Sequence, residues 1–249
     1  MSVLADREPM RPPERPRTKR KPHPGVVGNE RLSALAGSVL LGLIIAEIVI
    51  AAQLHTLLPV HIFVGVLLTF PLLVKMGSVG YRFLSYYADI PAYVRKGPPR
   101  LELRLLAPLL LMSSVSLVTS GIALALLGPT NVWSVWVLRL HALSVICWVP
   151  LLALHVGGHI WRIPHLLRAD WQKHTPHLIP GRGWRYGIML ASLLAGVGAA
   201  ALFLPHVASW VAWAPNIDPH IPGPLLFALF AAFLAGLGGV VVFKPWRWR

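Results

Sequence analysis

The sequence predicts an all-α membrane protein, a polytopic bundle of six transmembrane helices with both termini in the cytoplasm. Three observations predict it: the apolar composition, six long apolar segments and the one-sided distribution of basic residues. Of 249 residues, 55% are hydrophobic and 13% are charged, and the mean hydropathy is +0.63. A water-soluble domain of this length needs a much more charged surface, so an integral membrane protein is indicated.

Six segments are long and apolar enough to cross the hydrocarbon core, which takes about 20 residues of helix. They are residues 32–54, 56–78, 105–127, 138–161, 186–204 and 224–243. Because backbone polar groups in lipid must be satisfied within the segment, each is predicted to be a helix. Short turns join spans 1 and 2 and spans 3 and 4, which predicts two antiparallel hairpins. The Ala- and Gly-rich spans 5 and 6 predict close helix packing.

Basic residues concentrate in alternate loops. They are frequent before span 1, between spans 2 and 3, between spans 4 and 5, and at the C-terminus, whereas the other loops contain only Arg139. This distribution follows the positive-inside rule and places both termini in the cytoplasm. The net charge of +14 lies where topology and anionic lipid headgroups require it. The bilayer is therefore the predicted partner, and nucleic acid is not.

The chain divides into four predicted regions. Residues 1–30 form a disordered, basic, Pro-rich cytoplasmic tail, and residues 31–162 form a four-helix bundle. Residues 163–185 form a cytoplasmic loop, and residues 186–249 form a two-helix C-terminal hairpin with a basic tail. The Trp-containing segments 131–137 and 205–223 are predicted to lie along the outer membrane interface.

Span 4 carries three histidines in an apolar sequence, RLHALSVICWVPLLALHVGGHI. His141 and His155 are 14 residues apart, which on a helix is about 1,400° of rotation, nearly the same face, and about 21 Å of rise. Bis-histidine haem sites in helical bundles take one imidazole from each of two facing helices. A second haem needs a second histidine about four turns along the shared helix, which this spacing supplies. His159 lies one turn beyond His155, where an interfacial role is favoured.

The partner of His141 is predicted on span 2. His61 is near the outer end of that span, as His141 is of span 4, and Gly65 follows one turn later, leaving room for a flat macrocycle. His55 and Arg139 lie at the same level, where haem propionates need positive or hydrogen-bonding groups. The sequence therefore predicts haem iron bound by His61 and His141.

A second haem has no matching pair. The residue 14 positions after His61 is Lys75, and the body of span 1 has no histidine. His155 is thus either a ligand of a second haem completed by another group, such as Met76, or a buried hydrogen-bonding residue. One haem b is predicted, with two as the alternative.

The histidine pattern resembles the bacterial cytochrome b561 superfamily, which includes the b-type cytochrome subunits of membrane-bound hydrogenases and formate dehydrogenases. The resemblance covers about residues 31–162 and rests on His61, on His141 and on His155. It implies a cytochrome b-like four-helix bundle in a bacterial cytoplasmic (inner) membrane. It also implies electron transfer between a redox partner protein and quinone, with His155 as a ligand of the second haem. This chain departs from the family in span 1, which offers Glu47 where a histidine is usual. The pieces containing these histidines are also similar to bacterial multi-span membrane proteins without an assigned function.

Glu47 is the only acid within a span. It is predicted either to pair with Arg139 or an outer histidine, or to relay protons to a quinone. The function predicted is that of a haem b electron-transfer subunit rather than a stand-alone enzyme. The alternative is a haem-free membrane subunit or anchor that binds a partner protein.

Overall fold

The computed structural model describes residues 23–98, 101–159, 163–171 and 179–243. Within those residues the chain is helical and has no β-strand. The helices are α1 (Pro24–Ala51), α2 (Leu54–Tyr87), α3 (Pro91–Lys96), α4 (Leu101–Leu127), α5 (Ser134–His159), α6 (Ile163–Trp171), α7 (Arg182–Trp213) and α8 (Gly223–Phe243). A short 3-10 helix, Ala214–Asn216, follows α7. The all-α class is confirmed.

Five helices are long and apolar enough to cross a membrane: α1, α2, α4, α5 and α7. They correspond to predicted spans 1 to 5, so a multi-pass membrane protein is confirmed. Helix α1 ends at Ala51, three residues before the predicted end of span 1, and the last two residues of predicted span 4 lie outside the described residues. The segment predicted as span 6 forms α8, in which Gly223–Gly239 is a shorter apolar stretch.

The helices extend beyond the apolar segments that predicted them. Helix α1 begins at Pro24, within the predicted tail, and the His23 side chain caps it by accepting a hydrogen bond from the Gly25 amide. The rest of the predicted tail, residues 1–22, lies outside the described residues. Helix α2 continues nine residues past its predicted end, to Tyr87. Hydropathy marks where a chain leaves the hydrocarbon, whereas a helix continues as long as its backbone hydrogen bonds are made.

Four pairs of helices form most of the bundle. The hairpins α1–α2 and α4–α5 form as predicted, while α7 packs along α2 and α8 packs along α5. The two C-terminal helices were expected to form a hairpin, yet each has its main contacts with a different helix. Small residues explain the contact of α7: a Cβ at Gly196 would lie 2.8 Å from the carbonyl oxygen of Leu67 on α2.

Segment 205–223 is more ordered than an interfacial loop. Helix α7 continues through Pro205 to Trp213, which brings Trp210 into a buried cluster with Leu58, Leu124 and Ala214. The Trp210 Nε1 donates a hydrogen bond to the carbonyl oxygen of Leu124 at 2.9 Å. This cluster closes the predicted outer end of the bundle.

Candidate functional site

A cavity with a volume of about 530 Å³ lies between the two hairpins. Its wall comes from α1, α2, α4 and α5, and the end of α7 with the following loop closes one side. One lining residue from each of these five elements, in the same order, is Ile44, His61, Gly121, His141 and Trp213. Ligand pockets in proteins have volumes of roughly 300–1,000 Å³ and are mainly apolar with a few convergent polar groups. This cavity has that size and character.

The two histidines predicted to form a pair meet in this cavity. The ring centroids of His61 and His141 are 6.3 Å apart, and the ring planes are inclined at 83°. Two imidazoles on opposite sides of one metal ion, each with a metal–nitrogen bond of about 2 Å, have centroids roughly 6 to 6.5 Å apart. The observed separation fits a shared metal ion.

The ring of His141 is oriented by a hydroxyl on α4. Ser120 Oγ donates to the carbonyl oxygen of Ser116 at 2.6 Å and lies 3.0 Å from His141 Nδ1. With its one proton directed to the Ser116 carbonyl, the Ser120 hydroxyl can accept from His141 in the tautomer that has its proton on Nδ1. The lone pair is then on Nε2, the nitrogen that a metal would take.

A carboxylate contacts the ring of His61. Oε1 of Glu47 forms an ion-pair contact with His61 Nδ1, although the two groups lack the alignment of a hydrogen bond. The second carboxylate oxygen, Oε2, is buried without a hydrogen-bond partner. Of the partners predicted for Glu47, Arg139 or an outer histidine, the structure has the histidine. Metal-binding histidines commonly have a carboxylate at the other ring nitrogen, which fixes the ring.

Two glycines make room at this site. No atom lies within 4 Å of where a Cβ of Gly65 would be, and Gly65 lines the cavity as predicted. A Cβ at Gly121, on α4, would be 3.2 Å from Cε1 of His141. Gly121 thus allows the imidazole to lie against the α4 backbone.

The predicted propionate partners lie elsewhere. The guanidinium of the exposed Arg139 stacks over the Trp136 ring at 5.0 Å. His55 is half-buried near the start of α2, and its buried Nδ1 has no hydrogen-bond partner. Neither Arg139 nor His55 lines the cavity.

The other end of α5 carries His155 and His159, and Lys75 is on α2. Lys75 Nζ donates to the carbonyl oxygen and the Oγ of Ser33 on α1, at 2.8 and 3.0 Å, and lies 3.1 Å from the Cβ position of Gly37. The rings of His155 and His159 are 4.8 Å apart, and Lys75 interacts electrostatically with His155. Lys75, at the position 14 residues after His61, is thus hydrogen-bonded to α1. Met76, the other ligand considered for His155, is half-buried on α2.

We made no sequence-based prediction for the serines of α4, whose hydroxyls contact residues of α5 beside the cavity. Ser116 Oγ lies 2.8 Å from Ser144 Oγ, and the indole Nε1 of Trp148 donates to Ser114 Oγ at 2.8 Å. With Ser120, these contacts hold α4 and α5 together along the cavity wall. The signal was the sequence SSVSLVTS inside an apolar span, where hydroxyls at helical spacing point to interhelical hydrogen bonds.

In the described part of the chain, His206 and His220 belong to no metal cluster. The backbone N–H and the Nδ1 of His220 both contact Oδ1 of Asp218, at 2.8 and 2.5 Å. Hydrogen bonds from the His220 backbone and then its side chain lower the pKa of Asp218. His206 is exposed on α7 and packs beside Phe203.

His165 is exposed on α6, whereas His174 and His177 lie outside the described residues. Across the described part of the chain, no three side chains of His, Cys, Asp or Glu come together as a metal cluster. Such clusters hold zinc, whereas haem iron takes only two axial ligands from the protein.

Comparisons of the chain with protein-family models, with curated proteins and with solved structures found no match.

Proposed function

We propose that this protein is a membrane electron-transfer protein that binds one haem b between His61 and His141. The observation that supports this most is their 6.3 Å ring separation across a cavity of about 530 Å³. Haem b bound there would supply one-electron redox chemistry at an iron with two imidazole ligands.

The residues of the cavity suit this group in three ways. His61 and His141 are on different helices, so they can hold the iron from opposite sides. Glu47 and Ser120 contact the Nδ1 atoms of the two rings and leave the Nε2 atoms for the iron. The open space at Gly65 and the mainly apolar wall give a flat apolar macrocycle room and exclude water.

We propose a single haem for each chain. Helix α1 contains no histidine that could pair with His155, and the position 14 residues after His61 on α2 is Lys75, whose Nζ donates to Ser33. His155 then acts as a buried polar residue beside His159. In the cytochrome b561 pattern, span 1 supplies a histidine for the second haem. Here span 1 has Glu47 instead, and Glu47 contacts His61 of the first site.

We also propose six spans with both termini in the cytoplasm and a location in the cytoplasmic membrane of a bacterium. Helix α8 has 21 residues and a length of about 31 Å, which matches the hydrocarbon thickness of about 30 Å. With α8 as a span, every strongly basic segment lies on one side of the membrane. The cavity with His61 is then on the outer side. The electron donor and acceptor would be a redox partner protein and quinone.

The experiment is an absorption spectrum of the protein purified from haem-replete cells. We expect a reduced-minus-oxidised spectrum of six-coordinate haem b and one haem per chain by pyridine hemochrome. His61→Ala and His141→Ala should each abolish it, because a lost axial imidazole leaves the iron with one protein ligand. His155→Ala is the matched control and should retain most of the haem.

A colourless protein would contradict the proposal and favour a haem-free subunit or anchor. Two haems per chain, halved in His155→Ala, would refute the single site. Unchanged haem in His61→Ala would refute the ligand pair.

A further inference from the structure

A second pocket lies at the other end of the bundle, where α1 begins and α2 ends. It has a volume of about 380 Å³ and is lined by the start of α1, the end of α2 and the helix α3 that folds back from it. Tyr81, Tyr93, Arg95 and His23 supply its polar side chains, and Ile90 contributes an apolar edge. The proposed haem function uses none of these residues.

The pocket lies at the depth of lipid headgroups. Tyr81 is 27 residues after Leu54, which is about 40 Å along α2, while a bilayer with its headgroups is about 40–45 Å thick. His23, at the start of α1, is 28 residues before Ala51 and reaches about the same level. The pocket therefore faces the headgroups of the leaflet opposite the His61 cavity.

Its surroundings are positive because Arg82, Arg95 and Lys96 outnumber the acids Glu30 and Asp89. Glu30 forms ion pairs with Lys96 Nζ at 2.9 Å and with Arg82 at 3.7 Å. Among the described residues, the exposed Arg95 makes no ion pair with a carboxylate. The pocket thus offers a free guanidinium, which binds phosphate oxygens well because its donors form a planar fork.

Tyrosine hydroxyls add donors beside the guanidinium. The rings of Tyr81 and Tyr93 meet edge to face at 5.7 Å, with Tyr93 only 6% exposed and Tyr81 56% exposed. Burial, followed by the neighbouring Tyr81, raises the pKa of Tyr93. The Tyr93 hydroxyl therefore stays protonated to a higher pH than a free tyrosine, and of this hydrogen-bonded pair Tyr81 is the more exposed side chain.

The rim suits the apolar part of a lipid. Ile90, in the pocket wall, is 38% exposed, and Val94 and Leu84, outside the wall but in neighbouring turns of α3 and α2, are 42% and 67% exposed. Exposed apolar side chains beside a phosphate-binding group match the glycerol and first methylenes of a phospholipid better than they match a soluble anion. We propose that this pocket binds the headgroup of an anionic phospholipid, with Arg95 and Tyr93 on its phosphate.

The test uses the full chain in nanodiscs of phosphatidylcholine containing a small fraction of phosphatidylglycerol. Lipids retained by the protein are counted by native mass spectrometry. We expect phosphatidylglycerol to be retained preferentially and Arg95→Gln to weaken retention about tenfold, the effect of one charge-assisted hydrogen bond. Tyr93→Phe keeps the ring contact with Tyr81 and should weaken retention by a smaller factor.

Arg104→Gln is the matched control. Arg104 is exposed on α4, outside the pocket, and donates to the hydroxyl of Tyr87 at 3.3 Å. It removes the same charge and should leave retention unchanged. Equal losses in Arg95→Gln and Arg104→Gln would overturn the site in favour of general surface charge. Equal binding of inorganic phosphate in pure phosphatidylcholine nanodiscs would overturn the lipid assignment.

Discussion

Three polar side chains inside the bundle, those of Glu47, Lys75 and Ser120, each contact a neighbouring helix. Glu47 on α1 contacts His61 on α2, Lys75 on α2 donates to Ser33 on α1, and Ser120 on α4 is bonded to a ring on α5. Polar groups in lipid are costly unless they are partnered, so such pairs fix how neighbouring helices are rotated. The proposed site is built from two of these three pairs.

Ser120→Ala tests whether the hydroxyl positions His141. The substitution removes the acceptor of the Nδ1–H, and we expect haem affinity to fall roughly 10- to 100-fold, as for other groups that orient metal ligands. Haem transfer to apomyoglobin measures the loss. Ser113→Ala is the control, because Ser113 Oγ bonds only the carbonyl oxygens of Leu109 and Leu110 on its own helix. Equal effects of the two substitutions would show that Ser120 has no specific role.

Lys75→Met tests the inner cation. Methionine has a similar length, and replacing a buried charge by an apolar side chain is often neutral or stabilising. We expect unchanged haem content and an equal or higher melting temperature in detergent. Lys96→Met, which breaks a surface ion pair with Glu30, should change stability by no more than about 1 kcal/mol. Loss of haem in Lys75→Met alone would mean that Lys75 supports the cofactor site.

At the scale of elements, α2 and α7 extend past their predicted apolar spans, and residues in these extensions line the two pockets. The added turns of α7 carry Trp210 to the outer end of the cavity, and the added turns of α2 carry Tyr81 to the headgroup pocket. Both extensions begin where the sequence becomes aromatic and less apolar. Most side chains of these turns are exposed, and the buried Ser85 on α2 and the buried Val207 and Trp210 on α7 attach them to the rest of the bundle.

Gly196→Ala tests the contact between α2 and α7. The new methyl group would lie 2.8 Å from the Leu67 carbonyl oxygen and 3.2 Å from its Cα, and a backbone cannot rotate away as a side chain can. We expect a loss of about 1–3 kcal/mol, typical of overpacking, seen as a lower melting temperature. Gly198→Ala, with no atom within 4 Å of its Cβ position, should have little effect. Equal stability of the two variants would contradict this packing.

Trp210→Phe tests the outer cap. Phenylalanine retains most of the apolar contact but loses the hydrogen bond to Leu124, which contributes about 0.5–1.5 kcal/mol. We expect a small loss of stability and faster release of haem, followed by absorbance. Trp136→Phe is the control, since Trp136 is 62% exposed. An unchanged release rate in Trp210→Phe would mean that the cap does not retain the cofactor.

At the scale of the whole molecule, the proposed topology predicts which loops a membrane-impermeant thiol reagent reaches. Cys147 is replaced by alanine first, and single cysteines are then placed at Arg95, Asn131, Thr175 and Asn216. In intact cells, positions 131 and 216 should be labelled from outside and positions 95 and 175 should be protected. Protection of position 216 would show that α7 and α8 do not enclose an external loop.

The sequence by itself determined the membrane class, the first five spans and the two histidines that meet in the cavity. These depend on local quantities, namely apolar length and the rise and rotation of one helix, which are the same in any bundle. The match of His61 and His141 in depth followed from their positions near the outer ends of spans 2 and 4. Lys75 at the position 14 residues after His61 was also readable from the sequence alone.

Only the tertiary structure decided what surrounds those residues. The choice of His61 rather than Arg139 as the partner of Glu47 depends on how α1 and α2 are rotated about their axes. The same holds for Ser120 beside His141 and for Trp210 over the cavity. The separation of α7 from α8 depends on which small residues allow close approach, as Gly196 does at Leu67. In lipid every helix is apolar on all sides, so hydropathy has no periodic signal for the inward face, and packing and interhelical hydrogen bonds select it.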